Sequence, residues 1–386
     1  MVLASVIGVG STKYGVLTES FSELVQEAAS KALADANMGP DEIDALYLGN
    51  FAGDQFFNQN HLASYANSVI GLKGVPATRV EAACASGGLA IREAILAIKS
   101  GLHKRVLVVG AEKMTSLPTA GVTGVLAQAS NMELEGKAGL TFPGVFALVA
   151  QRHMYQYGTT KEHLAAVAVK NHDHALLNPN AHMHKKISLA DVCASQTMIA
   201  EPFSIFDCSL ISDGASAMVL TAPDLAKTYR NDVIDIVGSG QATGSFEIFT
   251  NDDMTFFSAS RLAASRAYEM AGIQPSDVDF AEVHDCFTIA EIIATEDLGF
   301  FAPGEGGKAA LEGRTRLNGE LPINSSGGLK AKGHPVGATG VGQGVEIVYQ
   351  LRGQAGKRQI ENGTIGLTHN LGGSGGTCAV HIYRRR

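Results

Sequence analysis

Lys31 to Asn50, KALADANMGPDEIDALYLGN, lies without a gap over Arg266 to Asp285, RAYEMAGIQPSDVDFAEVHD, at a constant offset of 235 positions. Ala32/Ala267, Ala36/Ala271, Pro40/Pro275 and Asp44/Asp279 are identical pairs, and Lys31/Arg266, Met38/Ile273, Glu42/Asp277 and Ile43/Val278 are conservative ones. Each copy reads as a helix, a proline turn and a strand. In the first copy Ser20 and Glu23 have capping-box spacing, Phe21, Leu24, Val25, Ala28 and Ala32 recur at helical steps, and Gly39-Pro40 is a stop signal before a strand over Asp44 to Gly49. The likeness extends outward. Val6 to Gly10 resembles Ile236 to Gly240, and Ala85-Ser86-Gly87 resembles Ala338-Thr339-Gly340, each of the latter opening a helical stretch. A unit this long exceeds any solenoid repeat, so the expected fold is α/β, with two duplicated domains related by a pseudo-twofold axis and an active site at their junction.

Between the copies, residues 116–205 match neither half and are dense in Gly, Asn, His and Met. They read as an inserted loop domain. The expected organisation is therefore residues 1–115 with 206–230 as the first domain, 116–205 as the insertion, and 231–386 as the second domain.

Composition limits the function. A chain of 386 residues with 45% hydrophobic and 18% charged residues can bury a sizeable core, which excludes general disorder. Apolar runs such as Val106 to Gly110 and Val145 to Ala150 fall far short of the roughly 20 residues that cross a bilayer. No membrane span is expected. Thirty Lys plus Arg against 38 Asp plus Glu give a formal charge of −8, which argues against a nucleic-acid surface, and the basic tail Tyr383 to Arg386 is too short to change that. Met1 to Gly8 has no basic leader and reads as a strand running into a turn. The five cysteines (Cys84, Cys193, Cys208, Cys286, Cys378) are an odd set without a CxxC pair, so neither a disulfide framework nor a zinc knuckle is signalled. A cytoplasmic protein with one or two working thiols fits.

Four segments carry candidate chemistry. Cys84 lies where a strand-like approach ends and a helix from about Gly87 to Ser100 begins, so its thiol faces the positive end of a helix dipole, which lowers a cysteine pKa. The alternative is a buried structural thiol. His334 sits in the corresponding turn of the second copy, in a Gly-rich run where Lys330 and Lys332 are placed to meet an anion, although GxxxxGK[ST] and GxGxxG are both missing. His284-Asp285-Cys286-Phe287 follows the second-copy strand and offers a base, a carboxylate and a thiol, or simply a satisfied polar turn. His369 to Gly376 contributes backbone amides suited to an oxyanion hole. His172, His174, His182 and His184 admit a metal reading, but without cysteines nearby or an HExxH pattern a polar loop over a ligand is the simpler one, and no metal is expected.

In these segments and in its duplication the chain resembles the thiolase superfamily over nearly its whole length. Cys84-Ala85-Ser86 matches the nucleophilic-cysteine motif and Gly333-His334-Pro335 the Gly-His-Pro motif. His284-Asp285-Cys286-Phe287 matches the variant found in sterol-carrier-protein-type and archaeal thiolases in place of Asn-Glu-Ala-Phe. Asn370-Leu371-Gly372 departs from the C-terminal Cys-x-Gly motif, with Asn where most thiolases have an acid/base cysteine.

The resemblance implies a layered α-β-α-β-α thiolase fold whose inserted loop domain, including the His-rich stretch, covers coenzyme A. It also implies two-step acyl transfer that makes or cleaves a 3-ketoacyl-CoA, acetoacetyl-CoA above all. Cys84 would be the acylated nucleophile, His334 its activator, and Cys286 the acid/base in place of the missing cysteine. His334 with His284 would form one oxyanion hole, and the amides of Cys84 and Gly372 the other. Ser209 and Phe287 would line the pantetheine tunnel. Coenzyme A thioesters would be substrates, with no permanently bound cofactor, and a homodimer or homotetramer is implied. The rival is a thiolase-like subunit working with a small OB-fold, zinc-ribbon partner protein, in aldol or other acyl-transfer chemistry or in a structural role.

Overall fold

The computed structural model describes residues 1–250 and 253–386. The first half runs through β1 (Ala4–Ser11), α1 (Phe21–Asp35), β2 (Ala45–Gly49), the short helices α2 (Gly53–Phe56) and α3 (Leu62–Ile70), β3 (Ala77–Val80), α4 (Ser86–Lys99) and β4 (Arg105–Glu112). An excursion follows, built from α5 (Thr119–Ala127), α6 (Phe142–Tyr157), α7 (Lys161–Ala175), α8 (Leu189–Cys193) and the ribbon of β5 (Met198–Ala200) with β6 (Phe203–Ser204). The chain then returns through β7 (Gly214–Thr221) and α9 (Ala226–Tyr229). The second half is β8 (Ile234–Thr243), α10 (Ser258–Ala271), β9 (Phe280–Glu282), α11 (Thr288–Asp297), α12 (Gly306–Leu311), α13 (Thr339–Leu351), β10 (Ile365–Gly372) and β11 (Thr377–Arg385).

The internal repeat is visible in the backbone. α1, a 3-10 turn at Pro40–Glu42 and β2 are matched by α10, a 3-10 turn at Pro275–Asp277 and β9. Ser20 caps α1 as its spacing predicts: its hydroxyl accepts the Glu23 N–H at 3.3 Å while the Glu23 carboxylate accepts the Ser20 N–H at 2.8 Å. Among the described residues the main sheet has the order β3-β2-β4-β7-β1-β8-β11-β10-β9. Its pairings mirror about the centre, since β2–β4 and β9–β10 are parallel while β4–β7, β7–β1, β10–β11 and β11–β8 are antiparallel. The two halves join where β1 meets β8 antiparallel, with Ala4 opposite Ile236 and Val6 opposite Ile234.

Apolar periodicity decides the layers. The face of α1 formed by Phe21, Leu24, Val25, Ala28 and Ala32 is buried against β1 and β7, and α10 covers β8 and β11 in the same way. The helices α4 and α13 touch strands of both halves and make the central layer. Ile91, Ala94 and Ile95 share one core with Val341, Val345 and Val348 between those strands. Each fully buried Val or Ile contributes about 1.5–3 kcal/mol, so this shared core holds the halves in one register. The excursion is not an independent hydrophobic unit, because Phe146 and Val149 of α6 and Leu164 and Val167 of α7 pack into the core formed with α10 and α11.

The central helices meet through glycine. A Cβ on Gly87 would stand 2.8 Å from the Gly337 carbonyl oxygen, and one on Gly340 would collide with the Gly88 amide and the Asn370 side chain. Gly340→Ala should therefore strain this crossing, lowering stability by about 1–3 kcal/mol through overpacking. A denaturant titration reads this directly. An unchanged midpoint would show that the helices do not cross this closely.

Candidate active site

Cys84 stands on a sharp turn between β3 and α4. Ala83 has a left-handed backbone (φ 49°), and the Ser86 hydroxyl holds the turn by accepting the Ala82 N–H at 2.9 Å and donating to the Ala83 carbonyl at 2.6 Å. Such backbone strain concentrates where a side chain must be presented in one orientation. His334 precedes α13 as Cys84 precedes α4. Its N–H donates to the Leu210 carbonyl and the Ser212 hydroxyl, each at 3.3 Å, and its Nδ1 lies 2.7 Å from Thr339 Oγ1. The third turn, after β9, presents His284 and Cys286. Asp285 between them is buried, and its carboxylate accepts the N–H groups of Leu329 at 2.6 Å and Lys330 at 3.1 Å, so it fastens this turn to the His334 loop.

The turns converge. Cys84 Sγ and one ring nitrogen each of His284 and His334 lie within 4.8 Å of one another, and the two imidazoles meet edge to face with centroids 5.2 Å apart. This is a nitrogen and sulfur donor set able to hold a soft cation such as zinc. A cavity of about 280 Å³ opens beside it, lined by Cys84, His334, Cys286, Phe287 and Ser209 with Phe146 and Leu126 from the excursion. The walls are mainly apolar. Phe287 is stacked between Phe146 and Phe203, at centroid distances of 4.8 and 5.5 Å, and the Ser209 N–H donates to the Cys286 carbonyl at 2.9 Å.

Residues 1–224 match the family model described as "Thiolase, N-terminal domain", and residues 240–385 match "Thiolase C-terminal domain-like". The chain belongs to the thiolase family. It is 48% identical to an acetyl-CoA acetyltransferase of Methanothermobacter thermautotrophicus, over 99% of each chain. It is 37% identical to sterol carrier protein 2 of Bos taurus, covering 98% of this chain and 72% of that one. Among solved structures, the Ltp2–ChsH2(DUF35) aldolase superposes with a TM-score of 0.85 at 27% identity, over 99% of this chain and 97% of that one.

Electrostatics revises one expectation about Cys84. A helix N-terminus should depress the Cys84 pKa, yet burial pushes the thiol up to about 12; the Gly373 amide opposes the shift, and the Glu112 and Glu81 carboxylates add to it. Loss of hydration on burial favours the neutral thiol, against the direction expected from the dipole. Burial, then Lys332, drives His334 down to about 3, and burial with the neighbouring His334 and His369 holds His284 well below its usual value. Cys286 is pushed well above its usual value by burial and by charge on Cys84 and Asp285. Burial thus favours neutral thiols and neutral imidazoles in the resting site.

Gly372, the candidate oxyanion donor, ends β10 in register with Thr377 and lies against the Cys84 turn, where a Cβ on it would stand 2.5 Å from the Ala82 carbonyl oxygen. Lys330 and Lys332 are buried away from the cavity, Lys332 beside Glu282 at 3.8 Å, so they do not form an anion site there. The four histidines bond separately to the Lys185 carbonyl, the Asn324 carbonyl, the Ser212 hydroxyl and the Asn178 carbonyl. They do not gather about one point or line the cavity; the His182 N–H instead pins the Lys332 carbonyl at 2.8 Å. Cys378 is fully buried in β11.

Two residues near the site escaped the sequence reading. Thr339 was read only as a helix start, although it follows His334 by five positions and touches its ring. Glu112 is an acid closing the strand RVLVVGAE after the apolar run Val106 to Ala111; its carboxylate gathers the N–H groups of Phe51 at 2.8 Å and Gly337 at 3.0 Å and the Asn50 amide at 2.8 Å. A charged residue ending a buried strand was the available signal. Because the thiol lies far above ambient pH, alkylation of Cys84 in the free enzyme should climb steadily over roughly pH 6 to 9, following the thiolate fraction. A plateau reached below neutrality, measured with iodoacetamide, would instead mean a preformed thiolate–imidazolium pair.

Proposed function

We propose that this chain is an acetyl-CoA C-acetyltransferase, joining two acetyl-CoA molecules into acetoacetyl-CoA or running the reverse thiolysis. The supporting observation is the convergence of Cys84, His284 and His334 beside a cavity that Cys84, His334 and Cys286 line. In the first step Cys84 passes its proton to His334 and attacks the thioester carbonyl. Coenzyme A leaves as a thiol by taking the Cys286 proton, and Cys84 is left acylated. The Cys286 thiolate then removes a methyl proton from the second acetyl-CoA. The carbanion attacks the acyl group, and His334 returns its proton to Cys84.

The high pKa of Cys286 suits this role, since a thiolate reluctant to exist is a strong base toward a weak carbon acid. Charge on the thioester oxygens would be met by His284 with His334, and by the amides of Cys84 and the Gly372-Gly373 turn. The cavity beside Ser209 and Phe287 would take pantetheine, with coenzyme A as substrate rather than resident cofactor. Free thiols at Cys84 and Cys286 suit a reducing compartment, which favours the cytoplasm, and no helix among the described residues is long and apolar enough to cross a membrane.

We expect a homodimer or homotetramer. The likeness to a two-component aldolase keeps a second reading, in which the chain acts with a partner protein. Acetoacetyl-CoA consumption by this chain alone, and then with such a partner, separates the two.

Cys84→Ala should abolish turnover with the fold retained, and mass spectrometry after acetyl-CoA exposure should find the acyl group on Cys84. Cys286→Ser should retain an acylation burst, slowed because coenzyme A must leave without the Cys286 proton, but lower condensation by at least about 10²-fold, because only the second step needs a carbon acid deprotonated. Cys378→Ser should leave condensation near normal. Acyl label on Cys286, or condensation lost with Cys378 and kept without Cys286, would reassign the roles.

A further inference from the structure

The two site histidines differ in what surrounds Nδ1. Asn370 projects from β10 between the central helices, and its amide orientation has one solution. The Gly88 N–H donates to Oδ1 at 3.0 Å, and Nδ2 donates to the Cys84 carbonyl at 2.9 Å. A backbone N–H can only donate and a carbonyl can only accept, so the amide cannot be flipped. The second hydrogen on Nδ2 faces His284 Nδ1 at 3.3 Å. A proton on that nitrogen would point at an N–H, so Nδ1 of His284 is bare and its proton resides on Nε2.

At His334 the argument runs the other way. The single Thr339 hydroxyl hydrogen goes to the Pro335 carbonyl at 3.0 Å, the bond that a Thr at a helix start makes to the carbonyl four residues back. The hydroxyl is left as an acceptor toward His334 Nδ1 at 2.7 Å. The His334 proton therefore sits on Nδ1, and Nε2 keeps its lone pair.

We propose that Asn370 and Thr339 are positioning residues that preset the two imidazoles in opposite tautomers, His284 as an Nε2–H donor and His334 as an Nε2 acceptor. The inference rests on the roles given above for these histidines and supplies what those roles need. A base must present a lone pair to the Cys84 proton, and a neutral oxyanion partner must present an N–H. Once His334 has taken the thiol proton its Nε2 carries a hydrogen too, and both rings become donors in the same step that creates the oxyanion. The residue that stands where most thiolases have a cysteine is thereby given a task of its own.

Neutron diffraction from crystals of the whole enzyme exchanged into D2O at neutral pH reads the proposal directly. Deuterium should appear on Nε2 of His284 and on Nδ1 of His334. Deuterium on Nδ1 of His284, or its absence from Nδ1 of His334, overturns it, with no variant required. Asn370→Asp keeps the shape but replaces the donor by an acceptor, which moves the His284 proton to Nδ1. It should lower kcat for acetoacetyl-CoA thiolysis by about 10²-fold, the usual cost of one oxyanion donor, with KM little changed. Thr339→Val should slow the acylation burst, and Thr339→Ser should restore it. A near-normal kcat in folded Asn370→Asp, or a normal burst in Thr339→Val, would remove that residue from the positioning role. If the deuterium pattern is found while the wild-type enzyme fails to turn over acetoacetyl-CoA, the substrate reading fails and the tautomer assignment stands.

Discussion

The rest of the structure depends on the closeness of two helix N-termini. The backbones at Gly87-Gly88 and Gly337 to Gly340 touch, and this contact brings the turn that carries Cys84 against the turn that carries His334. One added methyl group at the crossing would separate the catalytic candidates before it altered any of them. The duplication explains why such a contact exists. Equivalent helices of two similar halves meet near the pseudo-twofold axis, so one type of turn supplies the cysteine on one side and the histidine on the other. Asn370 occupies the seam, bonded to Gly88, Cys84 and His284 together.

Burial at this seam favours the neutral thiol at Cys84 and the neutral imidazole at His334 over their charged forms. The same burial makes the polar neighbours matter. Glu112 and Asp285 are buried carboxylates that cap backbone N–H groups of the His334 loop, and they position its ring without facing the cavity.

Much of this was legible beforehand. The repeat of Lys31–Asn50 in Arg266–Asp285 announced two α/β halves, because helix and strand periods survive drift that erases individual residues. Cys84 and His334 stood out as reactive side chains in Ala- or Gly-rich turns, and His284 and Cys286 as reactive side chains just after a strand. In the His-rich stretch, where the sequence favoured a polar loop over a metal site, each histidine has its own backbone or hydroxyl partner.

The sequence by itself determined the fold, its duplication and the residue types available for chemistry, because these follow from local periodicity and from motifs a few residues long. Tertiary structure decided how burial biases the protonation of the site groups and which atoms face the two imidazoles. Those properties depend on burial and on atoms brought together across gaps such as the 286 positions between Cys84 and Asn370. No window of sequence contains them, since desolvation and hydrogen-bond direction are set only when distant segments close around the same few cubic ångströms.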